Sequence, residues 1–221
     1  MQRDTFLADE GDAYFGRNAS QSVADLRPLV SSLRSLGIAP KRILEIGCSN
    51  GRALEMLQAE FGSECHGIDP SRDAVDAGRR RVSGIELSVG TADKLEFQDG
   101  FFDLAIFGFC LYLCDPQDHF RIAAEADRVV LDGGFIVIYD FCSTSPYKNE
   151  YRHRPGIFSF KMDFSRMFLW HPAYRLLSRA YGEHATPLTL ARDEAVVVDV
   201  LHKDMAQAFP DAPRQSSPSN S

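Results

Sequence analysis

A glycine-rich turn in the stretch ILEIGCSNGRALEML is the part of the sequence best suited to chemistry. Gly47 and Gly51 bracket three small or polar residues, and an acid, Glu45, lies two positions before the first glycine. Apolar residues on either side predict a strand, a turn and a helix. Glycine lets the backbone approach a ligand closely. We therefore expect this turn, at the carboxyl end of a strand, to bind a ligand.

The elements that must position this turn predict an α/β protein. Short apolar strands alternate with helices, in the stretches RILEIG, ECHGIDP, IELSVGTADKL, GFFDLAIFG and FIVIYDF. Strands that are apolar throughout are buried on both faces, which is typical of a parallel sheet covered by helices. The stretches AYRLLSRAYGEH and EAVVVDVLHKD predict two further strands joined by a loop. We predict a single doubly wound sheet, mostly parallel, with an antiparallel strand near its C-terminal edge.

Three parts of the chain differ in pattern. Residues 1–38 predict an N-terminal helical lid, because an aromatic-rich segment precedes one apolar stripe at helical spacing. Residues 39–204 form the predicted main domain, and residues 143–171 within it lack a clean period, as expected of an insertion that covers the substrate. Residues 205–221 are polar and rich in Pro and Ser, which predicts a disordered tail.

Composition argues against several classes of protein. A chain of 221 residues, 44% of them hydrophobic, can bury one substantial core, so we expect one globular domain. The net charge of −7 argues against a nucleic-acid partner. No apolar run reaches a membrane span, and the first residues lack the apolar core of a signal peptide, so we predict a cytoplasmic protein. Five cysteines without a CxxC pair predict reduced thiols, and the scattered histidines make no case for a metal.

The order of the motifs resembles the class I S-adenosylmethionine-dependent methyltransferases, particularly bacterial members that act on small molecules. Their first motif, an acid, any residue, a glycine and a small-residue loop, matches residues 45–51, with Ser49 where many members have a third glycine. Their second strand ends in an acid, as GIDPS does at Asp69. Segments similar to their later motifs follow in order at residues 90–95, 100–108 and 127–141. The resemblance covers about residues 40–142 and implies a Rossmann-like methyltransferase domain with S-adenosyl-L-methionine as cofactor.

The resemblance also implies roles for individual residues. It places Glu45 near the methionine ammonium, Asp69 on both ribose hydroxyls and Asp93 at the adenine amine. A carboxylate suits the ribose because it offers two acceptor oxygens to two neighbouring hydroxyl donors. We expect Tyr14 and Arg17 to fold over the cofactor, with the arginine meeting its carboxylate. The other expected cofactor contacts are Gly47, Cys48, Ser49, Pro70, Ala92 and Phe109.

Methyl transfer from a sulfonium is a direct in-line displacement, so positioning matters most and a base is needed only for a protonated nucleophile. The candidate catalytic residues are His153 as base, Asp140 at the end of the fifth strand, and Tyr112, which we expect to orient the substrate. Cations and aromatic residues at 147–154 predict a small acceptor with negative charge and a flat or sugar-like face. A phosphorylated or nucleotide-linked sugar, methylated on oxygen, fits this description.

Two alternatives remain open. An NAD-dependent oxidoreductase of Rossmann type would hold pyrophosphate on a GxGxxG loop, whereas the spacing here is Gly-x-x-x-Gly. A non-catalytic S-adenosylmethionine-binding module would keep Glu45, Gly47 and Asp69 and lose turnover. The identity of the substrate, the methylated atom and the oligomeric state stay open, with a homodimer as one option.

Overall fold

The computed structural model describes residues 1–18, 27–183 and 195–211. Its strands, in chain order, are β1 (Arg42–Ile46), β2 (Glu64–Asp69), β3 (Ile85–Val89), β4 (Phe102–Gly108), β5 (Val130–Phe141), β6 (Tyr147–Glu150), β7 (Phe158–Lys161), β8 (Tyr174–Glu183) and β9 (Ala195–Lys203). The helices are α1 (Gln2–Thr5), α2 (Gly11–Asn18), α3 (Arg27–Ser35), α4 (Arg52–Phe61), α5 (Arg72–Arg81), α6 (His119–Val129) and α7 (Arg166–Leu169). A π-helical turn, Phe6–Glu10, joins α1 to α2, and two 3₁₀ turns, Leu111–Leu113 and Pro116–Asp118, follow β4.

Seven of these strands form one sheet in the order β3-β2-β1-β4-β5-β9-β8. The first five strands are parallel, and β9 runs antiparallel to both of its neighbours. The strand order reverses between β1 and β4, because β2 and β3 lie on one side and β5 on the other. In such sheets, ligands bind at the carboxyl ends of the strands next to this reversal. The predicted Rossmann-like, doubly wound fold with an antiparallel strand near its C-terminal edge is confirmed.

Local signals explain why the two helices beside this crevice begin and end where they do. Helix α4 ends at Gly62, whose φ of 69° is the left-handed conformation that glycine adopts readily. Helix α5 begins after Ser71, whose hydroxyl oxygen accepts the backbone N–H of Ala74 at 3.0 Å. Three arginines at residues 79–81 end α5, where cations stabilise the helix dipole.

Two apolar layers cover the sheet, one on each face. On one face, α6 and α7 pack with Leu44 and Phe107. On the other face, α3, α4 and α5 pack with Ile43 and Ile106. Neighbouring residues of a strand point to opposite faces, so each strand contributes to both layers. Full burial of each such side chain contributes about 2 kcal/mol, which makes the sheet a rigid support for the loops at its edge.

The insertion at residues 143–171 contains more regular structure than its sequence predicts. We predicted no sheet element there, but β6 and β7 pair in a small antiparallel sheet of their own. Helix α7 places Phe168 in the core, with its ring centroid 6.2 Å from that of Phe107. Elements of four residues are too short to show a period, and this is why the sequence pattern did not reveal them.

Some sequence predictions concern residues outside the described ranges. The helical pattern of the predicted lid runs through residues 19–26, which lie outside them, and α3 continues the pattern. Residues 212–221 of the predicted tail also lie outside, whereas Ala208, before them, is buried in the core. Within the described ranges, no helix is both long and apolar enough to cross a membrane.

Candidate active site

A cavity of about 530 Å³ lies at the carboxyl ends of β1, β2 and β4, at the reversal of strand order. The glycine turn after β1, the loop after β4 and the N-terminal helices supply its walls. The predicted site residues that line it are Tyr14, Glu45, Gly47, Cys48, Ser49, Asp69, Pro70, Ala92, Asp93, Phe109 and Tyr112. Arg17, Asp140 and His153 do not line it.

The glycine turn has a backbone that requires glycine at its first position. Gly47 has a φ of +79°, and a Cβ atom there would lie 2.6 Å from Cβ of Cys110. The backbone N–H groups of Gly47 and Cys48 both donate to the carbonyl of Ile68, at 2.9 and 3.0 Å. Ser49 follows with a φ of 49°, an uncommon conformation for a residue with a side chain. Uncommon backbone conformations of this kind are typical of functional turns. This turn forms part of the cavity wall.

Asp69 ends β2 with both carboxylate oxygens fixed by the backbone. One oxygen accepts the N–H of Ser49 at 2.8 Å, and the other accepts the N–H of Ser71 at 2.9 Å. Burial raises the pKa of Asp69 to about 6, although these two hydrogen bonds oppose the rise. Each carboxylate oxygen can accept a further hydrogen bond. Asp69 therefore presents two oriented acceptors, which suit a pair of neighbouring hydroxyl groups.

Glu45, on β1, is a buried carboxylate that lines the cavity. Its Oε2 atom has no hydrogen-bond partner among the described residues. Burial, together with the charge of Asp69, raises the pKa of Glu45 to about 8. Space for this side chain depends on Gly108, since a Cβ atom there would lie 2.8 Å from Oε1 of Glu45. A buried carboxylate without a partner is costly, so this position suits a ligand that brings a cationic group.

Asp93, in the loop after β3, forms an ion pair with Arg3 of α1. The same guanidinium lies 3.7 Å from Asp118, and Arg121 lies 3.8 Å from Asp93. Arg3 also lines the cavity, and the sequence analysis did not identify it. No motif could have done so, because the contact joins residues 90 positions apart in the chain.

Gln2 fastens the start of the chain beside the cavity. Its side-chain amide donates to the carbonyls of Leu113 and Phe158, both at 3.0 Å, and accepts the N–H of Phe158 at 2.6 Å. Its own backbone N–H donates to Asp115 at 2.7 Å. Gln2 is buried, so these bonds are shielded from water. One side chain thus connects α1 to the loop after β4 and to the insertion.

A second attachment lies at the start of α2. One carboxylate oxygen of Asp12 accepts the hydroxyl of Ser71 at 2.7 Å and the N–H of Asp73 at 3.0 Å. Gly11 allows this approach, because a Cβ atom there would lie 3.1 Å from the backbone nitrogen of Ser71. Residues 1–18, which we call the N-terminal segment, are therefore held beside the cavity by Gln2, Arg3 and Asp12.

Two tyrosine hydroxyls meet in the cavity wall. The oxygens of Tyr14, on α2, and Tyr112, after β4, are 3.3 Å apart. Burial raises the pKa of Tyr112, so its phenol stays neutral and acts as a hydrogen-bonding group. The Tyr112 ring centroid lies 5.0 Å from that of Phe141. The pair joins the N-terminal segment to the loop after β4.

Asp140 is fully buried near the end of β5, behind the cavity wall. Its carboxylate accepts the backbone N–H groups of Leu111 at 2.9 Å, Tyr112 at 3.4 Å and Phe141 at 2.7 Å. Burial nevertheless raises its pKa to about 7. The side chain holds the turn that carries Tyr112, so the geometry gives Asp140 a positioning role.

Arg17 and His153 both contact Tyr151 of the insertion and do not line the cavity. Arg17 forms an ion pair with buried Glu10 and donates to the hydroxyl of Tyr151 at 3.0 Å. His153 is exposed, and its ring centroid lies 5.3 Å from that of Tyr151. These contacts join the N-terminal segment to the insertion, outside the lining of the cavity.

Comparisons with known proteins bear on the domain and its fold. Residues 43–134 match a family described as a methyltransferase domain. An uncharacterized protein of Mycobacterium tuberculosis is 32% identical over 140 residues, which cover 61% of this chain and 44% of that protein. Norajmaline N-methyltransferase of Rauvolfia serpentina is 32% identical over 108 residues, which cover 46% of this chain and 36% of that enzyme. The chain therefore spans less than half the length of either relative.

Solved structures show the same fold. The 1,6-didemethyltoxoflavin-N1-methyltransferase of Burkholderia thailandensis, solved with 1,6-didemethyltoxoflavin and S-adenosylhomocysteine, superposes with a TM-score of 0.68. The superposition covers 91% of this chain and 87% of that enzyme, at 18% identity. The family match spans β1 to the middle of β5 and contains Glu45, Asp69 and Asp93. Residues 43–134 thus match a methyltransferase-domain family, and the chain has the fold of the methyltransferase that was solved with S-adenosylhomocysteine.

Proposed function

We propose that the protein transfers a methyl group from S-adenosylmethionine to a small-molecule acceptor. The observation that carries this proposal is a pair of carboxylates, buried Glu45 and half-buried Asp69, that flank one glycine turn in one cavity. Glu45 suits an ammonium group and Asp69 suits two neighbouring hydroxyls, and this cofactor has both. The pyrophosphate of a nicotinamide dinucleotide is anionic, and these carboxylates would repel it.

The chain's own residues contribute mainly orientation. When bound, S-adenosylmethionine supplies an electrophilic methyl group, which a lone pair of the acceptor attacks while the carbon–sulfur electron pair passes to sulfur, leaving S-adenosylhomocysteine. Asp69 and Glu45 would hold the cofactor, and the hydroxyls of Tyr14 and Tyr112 would orient the acceptor. Asp140 would keep Tyr112 in place through its backbone.

We propose that transfer needs no histidine base. His153, the sequence candidate, is exposed and outside the cavity lining. Tyr112 is a poor base because burial raises its pKa further above the ordinary value. Any proton that the acceptor loses would therefore pass to solvent or to a carboxylate of the cavity lining. Methylation on oxygen stays a prediction, because the hydroxyls of Tyr14 and Tyr112 can orient either an oxygen or a nitrogen nucleophile.

Replacement of Asp69 tests this assignment. Asp69→Asn keeps one acceptor oxygen and removes the charge, so S-adenosylhomocysteine should bind about 10- to 100-fold more weakly, as expected for a hydrogen bond to a charged acceptor. Equilibrium dialysis with the radiolabelled ligand measures this change. The control is Asp76→Asn, whose side chain is exposed on α5. It should bind S-adenosylhomocysteine with the affinity of the natural protein. Equal affinity of Asp69→Asn and the control would remove Asp69 from the binding site.

A further inference from the structure

The ionic groups of the cavity are mainly acidic. Its described lining contains five carboxylates, Glu45, Asp69, Asp93, Asp115 and Asp118, and two guanidinium groups, Arg3 and Arg52. Arg3 already pairs with Asp93 and lies near Asp118. Glu45 is mostly protonated at pH 7, but Asp69, Asp115 and Asp118 still outnumber Arg52, so an anionic acceptor would enter a cavity whose net charge repels it.

The cations that suggested an anionic acceptor lie elsewhere. No described residue of the insertion lines the cavity. Arg154 forms an ion pair with Asp9 at 2.7 Å, and the ammonium of Lys148 lies 4.6 Å from the centre of the Phe158 ring. Arg152 is exposed. Arg154 thus contacts the N-terminal segment, Lys148 contacts a ring of the insertion itself, and none of the three cations lines the cavity, so they give no support to a phosphorylated or nucleotide-linked sugar.

A wall of aromatic rings forms another part of the lining. The ring centroids of Phe109 and Tyr139 are 4.7 Å apart, and those of Phe109 and Phe141 are 5.8 Å apart. The ring of Tyr112 continues this wall, 5.0 Å from that of Phe141. All four residues line the cavity. Ring faces attract flat apolar surfaces, and the neighbouring Tyr14 adds a second hydroxyl to that of Tyr112.

We propose that the acceptor is a flat aromatic molecule without negative charge, seated against the ring wall of Phe109, Tyr112, Tyr139 and Phe141. Its polar atom meets the hydroxyl pair of Tyr14 and Tyr112. This inference rests on the proposed function and replaces the anionic acceptor expected from the sequence. The ring wall supplies affinity through apolar contact, and the carboxylates of the cavity supply selectivity against anions.

Two ring systems that differ by one carboxylate provide the test. Calorimetry would use the full chain saturated with S-adenosylhomocysteine and titrated with 2-naphthol or with 6-hydroxy-2-naphthoate. We expect saturable binding of the naphthol and at least about tenfold weaker binding of the naphthoate, because only the second carries a negative charge at pH 7. Equal or tighter binding of the naphthoate, or no binding of the naphthol, would overturn the proposal.

A pair of variants shows whether the ring wall is the binding surface. Phe141→Leu should weaken naphthol binding at least about fivefold and leave the affinity for S-adenosylhomocysteine within about twofold, because it removes a ring and keeps apolar volume. Phe120→Leu, at an exposed position outside the cavity, is the control. Equal naphthol affinity in both variants would contradict the inference, whereas failure to bind S-adenosylhomocysteine in the natural protein would contradict the proposed function instead.

Discussion

At the scale of single residues, Glu45 is a carboxylate whose burial in the candidate site disfavours its charged form. Burial raises the pKa of Glu45 from 4.5 to about 8. Between these two values the folded protein holds a proton that the unfolded chain has lost, so the free energy of unfolding falls as the pH rises through this range. A bound ammonium group would offset this loss. Glu45 thus lowers the stability of the empty protein and favours the occupied one.

Glu45→Gln should separate these two effects. At pH 8 the variant should melt about 4–8 °C above the natural protein, because a neutral amide avoids the cost of a buried charge, on the order of 2 kcal/mol. At pH 5, where Glu45 is protonated in the folded protein, the difference should be small. The same variant should bind S-adenosylhomocysteine at least about tenfold more weakly.

Calorimetric melting at both pH values, with ligand titration, measures these effects. Glu96→Gln provides a control at an exposed position and should change neither property. A variant that melts below the natural protein at pH 8, or that keeps full affinity, would show that Glu45 is not the buried partner of a cationic ligand.

Gly47 can be compared with Gly133, a second glycine that has nearly the same positive φ. Gly47 and Gly133 have φ values of +79° and +81°, but a Cβ atom meets Cys110 at the first position and nothing within 4 Å at the second. Both alanine variants should lose about 1 kcal/mol through the left-handed backbone. Gly47→Ala should lose about 1–3 kcal/mol more through overpacking, and urea unfolding measures the difference. Equal losses of stability in the two alanine variants would contradict this account. They would show that the glycine turn can move away from Cys110 and so avoid the overpacking.

At the scale of elements, the N-terminal segment is the part that completes the cavity. Gln2, Arg3 and Asp12 attach it to the loop after β4, to Asp93 and to α5. We propose that this segment is the described part of the lid that the sequence pattern predicts over residues 1–38. A lid of this kind slows exchange of a bound ligand, because the ligand leaves only after the attachments open.

Gln2→Ala should weaken this lid. The substitution removes three side-chain hydrogen bonds, each of which contributes about 1 kcal/mol, and takes the Gln2 partner from the half-buried backbone groups of Phe158. We expect S-adenosylhomocysteine to dissociate about 3- to 30-fold faster in stopped-flow measurements. Gln58→Ala, which loses one hydrogen bond to Gly84 away from the cavity, should dissociate at the natural rate. Equal rates in the two variants would show that the N-terminal segment does not retain the ligand.

The sequence predicts the elements of the sheet better than the contacts between distant elements. The apolar run before Gly47 and the acid at the end of β2 are local signals, so Glu45 and Asp69 could be placed from the sequence. Arg3 and Gln2 could not, because they meet residues about 90 to 156 positions away. The cations of the insertion were visible in the sequence, but only the fold shows that they lie outside the lining of the cavity.

At the scale of the whole molecule, the fold brings distant parts of the chain to one edge of the sheet. The reversal of strand order between β1 and β4 creates the crevice, and the N-terminal segment and the loop after β4 give it walls. The carboxylates of these walls belong to a chain whose net charge is −7. The charge of the cavity lining and the net charge of the chain both favour cationic or neutral ligands over polyanions.

The most direct test of the central claim is calorimetric titration of the full chain with S-adenosylhomocysteine and, separately, with NAD. Both ligands carry adenosine, but only the first carries an amino-acid ammonium for Glu45, and only the second carries a pyrophosphate. We predict saturable binding of S-adenosylhomocysteine at one site per chain, with a Kd on the order of micromolar, and no measurable binding of NAD. Binding of NAD in preference to S-adenosylhomocysteine, or binding of neither, would contradict the assignment of this cavity to a methyltransferase.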